Sequence, residues 1–230
     1  MSVDIHFNAS ALGSIQEVSL VLFKSWSEKK TLPMKLTKQG WKVSLSLPAG
    51  EYKYAFIVNG GIRLNDPEAN AYAPDDDEKI WSVLLINAKG QRLHSNQSYR
   101  VHLHDYSLAT RFDGPGLPGV HKQINLAIDE SIVSRFEFTQ VEGLHTVTLA
   151  WYTPDARLLQ WSDHYLVENE TSAPIELMFR CQPKTLMQSP LLGIWSLKMF
   201  IDGAFVLEDD FKVVDEEVYS RRDFLGCGAD

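Results

Sequence analysis

The chain has 230 residues, room for one large domain or two of about 100 residues, and its 44% apolar fraction is that of an ordinary globular protein. Its formal charge of −8 is uneven: residues 1–96 hold 11 Lys/Arg against 10 Asp/Glu, and residues 97–230 hold 11 against 20. The basic clustering that phosphate binding needs is not seen, which argues against nucleic acid. No run of about 18 apolar residues occurs to span a bilayer.

In chain order, the N-terminal stretch MSVDIHFNASALGSIQ lacks the basic and apolar regions of a secretory signal, so cytoplasmic residence is expected. VSLVLF (18–23) is an apolar run of strand length, expected to be buried on both faces. In WKVSLSLP, Trp41, Val43, Leu45 and Leu47 share one face and Lys42, Ser44 and Ser46 the other. After the turn at Pro48-Ala49-Gly50, Tyr52, Tyr54, Phe56 and Val58 form the next one-sided strand. Asn59-Gly60-Gly61 then signals a hairpin, because Asn and Gly tolerate positive φ. WSVLLI (81–86) closes the set.

Residues 87–121 are the expected seam. NAKGQRLHSNQS is polar and reads as an inter-domain link, whereas FDGPGLPG (112–119) reads as a long loop, with YRVHLHDY between them as a strand. The second half continues with HTVTLAWY, in which Val147, Leu149 and Trp151 share a face, then LLQWSDHYLVE and APIELMFR. In GIWSLKMFIDGAFVLEDDFKVV, Trp195, Leu197, Met199 and Ile201 alternate, and Asp202-Gly203 supplies a type I′ turn before the returning strand. The tail EEVYSRRDFLGCGAD is expected to be mobile or packed on an edge. Many short strands with frequent turns and no helical period predict an all-β protein of two consecutive immunoglobulin-like sandwiches, residues 1–92 and 93–230.

The order of VSLVLFKSW, GWKVSLSLPAGEYKYAFIVNGG, DPEA and WSVLLI, spanning about residues 15–88, resembles the family-48 carbohydrate-binding module. This is the glycogen-associated sandwich of the AMP-activated kinase β subunit and of isoamylase N-terminal domains. The resemblance implies an α-glucan polymer as partner, gripped by indole rings on the sugar's apolar faces and polar groups on its hydroxyl rim. Trp26 falls on the family's first stacking tryptophan. Ile62 or Leu64 stands at the second, Ala55 at the rim lysine and Ser82 at the rim asparagine. Lys53, on the same strand face as Ala55, substitutes for the lysine in this reading, and Arg63, Trp81 and Ser82 are supporting groups. The closing hairpin of the second half is only generically immunoglobulin-like, a likeness of architecture that carries no activity, and the second domain is expected to present a protein-partner or homodimer surface.

Trp26 either stacks on sugar or covers one end of the sandwich. Trp41 and Trp195 alternate with aliphatic residues and are read as core. Trp81 is either core or an edge indole that aids a ligand surface. His102 and His104 share a strand face without a third ligand and are read as a half-exposed strand. Asp75 to Glu78 lacks the spacing of a calcium loop and is read as a turn. The acidic residues Glu208 to Asp210 and Asp215 to Glu217 are expected to blunt an edge strand. Cys181 and Cys227 form no disulfide framework or metal knuckle. The sequons at Asn8, Asn96 and Asn169 carry no expectation of glycosylation. No catalytic motif is recognised, so no enzyme activity, cofactor or metal is expected.

Two functions from different classes follow, with an enzyme of unrecognised type as a weaker third. One is a non-catalytic α-glucan-binding protein with an appended interaction domain. The other is a scaffold that keeps the module fold without its sugar site, as Ile62, Ala55 and Ser82 suggest. Trp26 and Trp81 exposed on one concave face would favour the first, and burial of both the second.

Overall fold

The computed structural model describes residues 2–8, 10–24, 27–93, 100–110, 122–169, 173–189 and 191–216. In chain order, the first half comprises β1 (Val3–Phe7), a 3-10 turn at Ser10–Leu12, β2 (Val18–Phe23), β3 (Lys30–Pro33), β4 (Lys35–Thr37), β5 (Gly40–Leu45), β6 (Gly50–Val58), β7 (Ile62–Leu64), β8 (Ala71–Pro74) and β9 (Ile80–Ile86). The second half comprises β10 (His102–Ala109), β11 (Gln123–Asn125), β12 (Ile132–Thr139), β13 (Leu144–Tyr152), β14 (Leu158–Val167), β15 (Ile175–Cys181), a single helical turn α1 (Pro183–Leu186), β16 (Gly193–Ile201) and β17 (Ala204–Val214). The protein is all-β and built as two sandwiches.

The first sandwich packs a sheet of order β1-β5-β4 against one of order β3-β2-β6-β9-β8, with β7 folded back on β6. The alternation in β6 directs Tyr52, Tyr54, Phe56 and Val58 inward, where they meet Leu20 and Leu22 of β2, Ile5 and Phe7 of β1 and Leu84 of β9. β2 is buried on one face and only partly covered on the other, at Ser19 and Val21. Asn59 (φ 51°) and Gly60 (φ 63°) make the tight turn into β7. Asn59 Oδ1 also accepts the backbone N–H of Gln16 at 2.8 Å, so the turn pins the approach to β2. Between β3 and β4 the chain changes sheets just after Pro33, which has no N–H to offer a ladder.

In the second sandwich, a sheet of order β10-β12-β15 faces one of order β11-β17-β16-β13-β14, with β11 joining β17 in parallel over Lys212–Val214. Trp151, Trp195, Phe136, Phe138, Phe211 and Leu197 fill the space between them. The indole of Trp195 donates to the Leu191 carbonyl at 2.7 Å. Cys181 lies in this core, where burial pushes its thiol up to about 12, so the group stays protonated and unreactive.

The two sandwiches share a wall. β13 is buried from His145 through Tyr152, because its second face packs on the first sandwich. Ala150 and Tyr152 of β13 and Phe200 of β16 belong to the first sandwich's core cluster, and Trp161 of β14 packs against it.

The strand reading of the sequence carries over, with three differences. β1, β3, β4, β8, β11 and β12 join the set. Residues 87–93 are not a free link: Leu93 N–H bonds the Leu85 carbonyl at 2.9 Å, so the polar turn folds back on β9. Glu208 to Asp210 lie on the part of β17 that β11 leaves unpaired, and Asp209 also accepts from Tyr106 and Lys122. The loop 112–119 and the tail from residue 217 lie outside the described residues.

The β16–β17 turn touches the other sandwich. Gly203 has φ 86°, and a Cβ there would run into the Asn65 carbonyl. Gly203→Ala is therefore expected to lower the unfolding free energy by more than about 1 kcal/mol in denaturant titrations. An unchanged midpoint would show that the turn does not bear on the first sandwich.

Candidate functional site

Of the residues that the sequence nominates, Lys53, Arg63 and Trp81 lie at the outer face of β6 and β9 and Ser82 on the inner face, and the outer face is not open. Trp81 is 4% exposed and packs with Phe23, Ala55 and Val21 in a small cluster on the side of the sheet away from the main core. The Phe23 ring meets it edge-on at 4.9 Å. Lys29 Nζ and Arg63 Cζ each lie 4.8 Å from the Trp81 centroid, and the indole N–H donates to Asp75 Oδ2 at 2.8 Å. The platform is thus occupied by the protein's own cations, which gain from the ring's quadrupole.

Asp75 opens the acidic turn and organises it. Its Oδ1 accepts the backbone N–H of Asp77 and Lys79, and its Oδ2 also accepts from Lys29 at 3.0 Å. Burial works to raise its carboxyl, but Lys29, the Trp81 N–H and the Lys79 N–H outweigh that and hold it below the ordinary aspartate value. The sequence reads this stretch only as a turn before a strand; its Asp75 carboxylate fastens Trp81.

Arg63 is 7% exposed. It donates to the Ile80 carbonyl at 2.8 Å and to Asp163 Oδ2 on β14 at 2.5 Å. Asp163 Oδ1 in turn accepts from Thr148 of β13 at 2.7 Å. Beside this pair, Asn65 Nδ2 donates to Thr146 Oγ1 at 3.0 Å, also across the two sandwiches.

Ser82 is fully buried, and its hydroxyl accepts the Asp66 N–H at 2.7 Å. Asp66, from the Asp-Pro of the motif, also takes the Tyr54 hydroxyl at 2.5 Å and the Glu68 N–H at 2.9 Å, while its carbonyl accepts from Tyr72. Burial raises its carboxyl despite these donors.

The sequence nominates Arg63, Trp81 and Ser82 as supports for a sugar. Each is buried and holds a structural partner. Ile62 and Leu64 lie in the first core. Lys53 is half-buried and donates to the Pro74 carbonyl. Trp26 lies outside the described residues. His102 and His104 are exposed on β10 and bring in no further ligands, and no cluster of three metal-ligating side chains occurs among the described residues.

Sequence reasoning missed the opposite half of this seam. Thr146, Thr148, Asp163 and Lys198 sit at positions that alternation assigns to solvent. The signal available was Ala150 and Tyr152 on that same face, too apolar for an open surface. Where the sandwiches part, a cleft of about 680 Å³ runs between the Leu12–Gln16 loop, the Asn59–Ile62 turn, the Tyr152–Leu158 turn and β16. Its size is that of a small-molecule site. Lys198, with a side chain 13% exposed, donates to the Ala11 carbonyl at 2.6 Å, pairs with Glu208 at 3.1 Å and lies 5.4 Å from the Tyr152 centroid. Arg157 pairs with Asp155 at 2.6 Å. Lys198 and Arg157 are thus neutralised in pairs, and Asp210, Gln16 and Ser196 add polar groups to the cleft wall.

At the far end of the seam, His145 Nδ1 lies 2.6 Å from Asp202 Oδ2, and Nε2 lies 2.9 Å from the Glu142 carbonyl. Both partners are acceptors, which favours the doubly protonated ring. Burial lowers the tendency of His145 to hold its second proton, but the bond and charge of Asp202 and the Glu142 carbonyl overcome it, and the net shift is upward.

No family model matches the chain, and no curated protein matches it. Among solved structures, it is similar to a β-glucosidase from Listeria innocua in complex with glucose, at 10% identity and a TM-score of 0.34, over 54% of this chain and 17% of that one. It is also similar to Pseudomonas fluorescens alkylpurine DNA glycosylase AlkC bound to DNA containing an abasic site analog, at 14% identity and a TM-score of 0.35, over 50% and 30%. The chain spans less than a third of either protein, and likenesses this distant carry no argument about its activity.

Two measurements test the seam. Asp163→Ala leaves the Arg63 guanidinium buried without its carboxylate and is expected to cost about 3–5 kcal/mol, whereas Asp155→Ala, at an exposed pair, is expected to leave the unfolding midpoint nearly unchanged. Equal effects in urea titrations would refute the distinction. For His145 the folded pKa is raised, so its contribution to stability is complete below the unfolded value of 6.5 and is lost as pH rises through the folded value. Melting temperature is expected to fall over that window in the wild type and not in His145→Gln.

Proposed function

We propose that this chain is a non-catalytic, cytoplasmic interaction protein, a rigid pair of sandwiches whose first member keeps the strand order of a glucan-binding module and whose second member meets a partner. The observation that supports this reading over glucan binding is the burial of Trp81 between Lys29 and Arg63, with Arg63 tied to Asp163 of the other sandwich. A glucan needs an exposed ring and unpaired rim donors, and these groups are engaged elsewhere. Of the residues nominated for sugar, Trp26 and Lys53 are left to argue for a glucan site, and Lys53 already donates to Pro74.

Native affinity electrophoresis through gels with and without glycogen separates the two readings. Wild type and Trp26→Ala are expected to migrate alike in both gels. Retardation of the wild type by glycogen, abolished by Trp26→Ala, would restore the glucan-binding reading and place its site at Trp26.

A further inference from the structure

Sheet edges expose unpaired N–H and C=O groups, and proteins that remain monomeric block them by shortness, charge, proline or bulges. The edges of this protein follow that rule with one exception. β4 has three residues beginning with Lys35, β3 begins with Lys30 and ends in Pro33, and β8 has four residues and ends in Pro74. β1 has five residues and carries the Asp4–Lys42 ion pair at its junction with β5. β10 has a register shift between Leu103 and Asp105, and β15 carries Glu176 and Arg180. The open stretch of β17 carries Glu208, Asp209 and Asp210.

β14 is different. It has ten residues, pairs with β13 alone among the described strands, and contains no Lys, Arg, Glu or Pro. Its single acidic residue, Asp163, is turned inward to Arg63 and Thr148. Gln160 Nε2 reaches the Arg180 carbonyl of β15 at 3.4 Å and the His164 ring meets Phe179 of β15 edge-on at 4.7 Å, but these are side-chain ties, and the backbone of Ser162 to Val167 has no ladder partner on its outer side among the described strands. That stretch is flanked by Tyr165, 56% exposed, and Val167, 51% exposed. Both line a hollow of about 240 Å³ with Pro74, Glu78, Ile80 and Leu144, apolar but for the one carboxylate.

We propose that β14 pairs with β14 of a second copy of this chain, antiparallel about a two-fold axis, joining two five-stranded sheets into one of ten. The pairing deepens the interaction reading above by naming the partner and the surface. Charge favours a second copy. The molecule carries −8 overall, but its acidic stretch sits on β17, separated from β14 by β16 and β13. Approach along β14 joins two strands whose one acidic side chain, Asp163, is already paired with Arg63, and keeps the β17 acids apart, with Glu78 the acid that each copy brings to the hollow. Antiparallel self-pairing also leaves neither copy with an open β14 edge, so the assembly stops at two. Tyr165 and Val167 of each copy then cover the hollow beside the shared ladder.

Sedimentation equilibrium over a concentration series tests this on the full chain. The wild type is expected at twice the chain mass. Tyr165→Lys and Val167→Lys, at exposed positions, are expected to weaken association by about tenfold or more, with unchanged circular dichroism. Phe205→Lys, an exposed apolar position on β17, is expected to remain dimeric. Should the β14 variants fold poorly, hydrogen exchange on the wild type gives the same answer: amides of residues 162–167 are expected to gain protection as concentration rises. A wild type that stays monomeric throughout, a dimer indifferent to both lysines, or a monomer that instead captures an extended peptide along β14 would each overturn the proposal. None of these outcomes depends on glycogen, so failure here leaves the electrophoresis result to decide between scaffold and glucan binder.

Discussion

Everything in this molecule depends on β13 being buried on both faces. A strand of a simple sandwich has one face in the core and one in water, and its sequence alternates accordingly. β13 has Val147, Leu149 and Trp151 in the second core, while Ala150 and Tyr152 enter the first. The sheet holding β13 is thus a wall common to two cores. Each buried side chain of this size stabilises by roughly 1.5–3 kcal/mol relative to exposure, so the first sandwich gains from residues that it does not encode. The halves are expected to behave as one cooperative body rather than as beads on a string.

Apolar contact alone would not fix the angle at which one sandwich meets the other. That role falls to the polar groups of the seam. Arg63 with Asp163, Asn65 with Thr146 and Lys198 with the Ala11 carbonyl each need a partner once removed from water, and leaving any of them unpaired costs more than the bond itself returns. Such pairs penalise alternative dockings more than they stabilise the native one. The same physics explains the fate of the nominated sugar residues. Trp81 and Arg63 lie beside the region where the second sandwich docks, and the ring and guanidinium meet each other and Asp163 instead of a ligand.

Edge control supplies a third theme. Lysine, proline, acid or shortness marks every described edge except β14. Asp163, which in a lone sandwich would blunt that edge, is drawn into the seam. Docking the first sandwich therefore both builds the common wall and leaves the outer strand of that wall without a guarding charge.

The sequence by itself determined the local structure. Alternation in residues 41–58 and 144–152, the Asn59-Gly60 and Asp202-Gly203 turns, and the lack of helical period specify strands, hairpins and an all-β class, because side-chain period and positive φ are local properties. Likewise, the Asp-Pro following the Asn-Gly-Gly turn was visible as part of a motif, although its function as an internal anchor for Tyr54, Tyr72 and Ser82 was not. Only the tertiary structure decided which second faces are covered. Thr146, Thr148 and Asp163 look like solvent-facing positions because alternation distinguishes two faces of a strand without saying what lies against each. Trp81 and Arg63 look like a ligand platform for the same reason: an aromatic beside a cation has the same pattern whether its partner is a sugar or another part of the chain. Burial is a property of contacts between segments distant in sequence, here Arg63 and Asp163, and no local pattern encodes it.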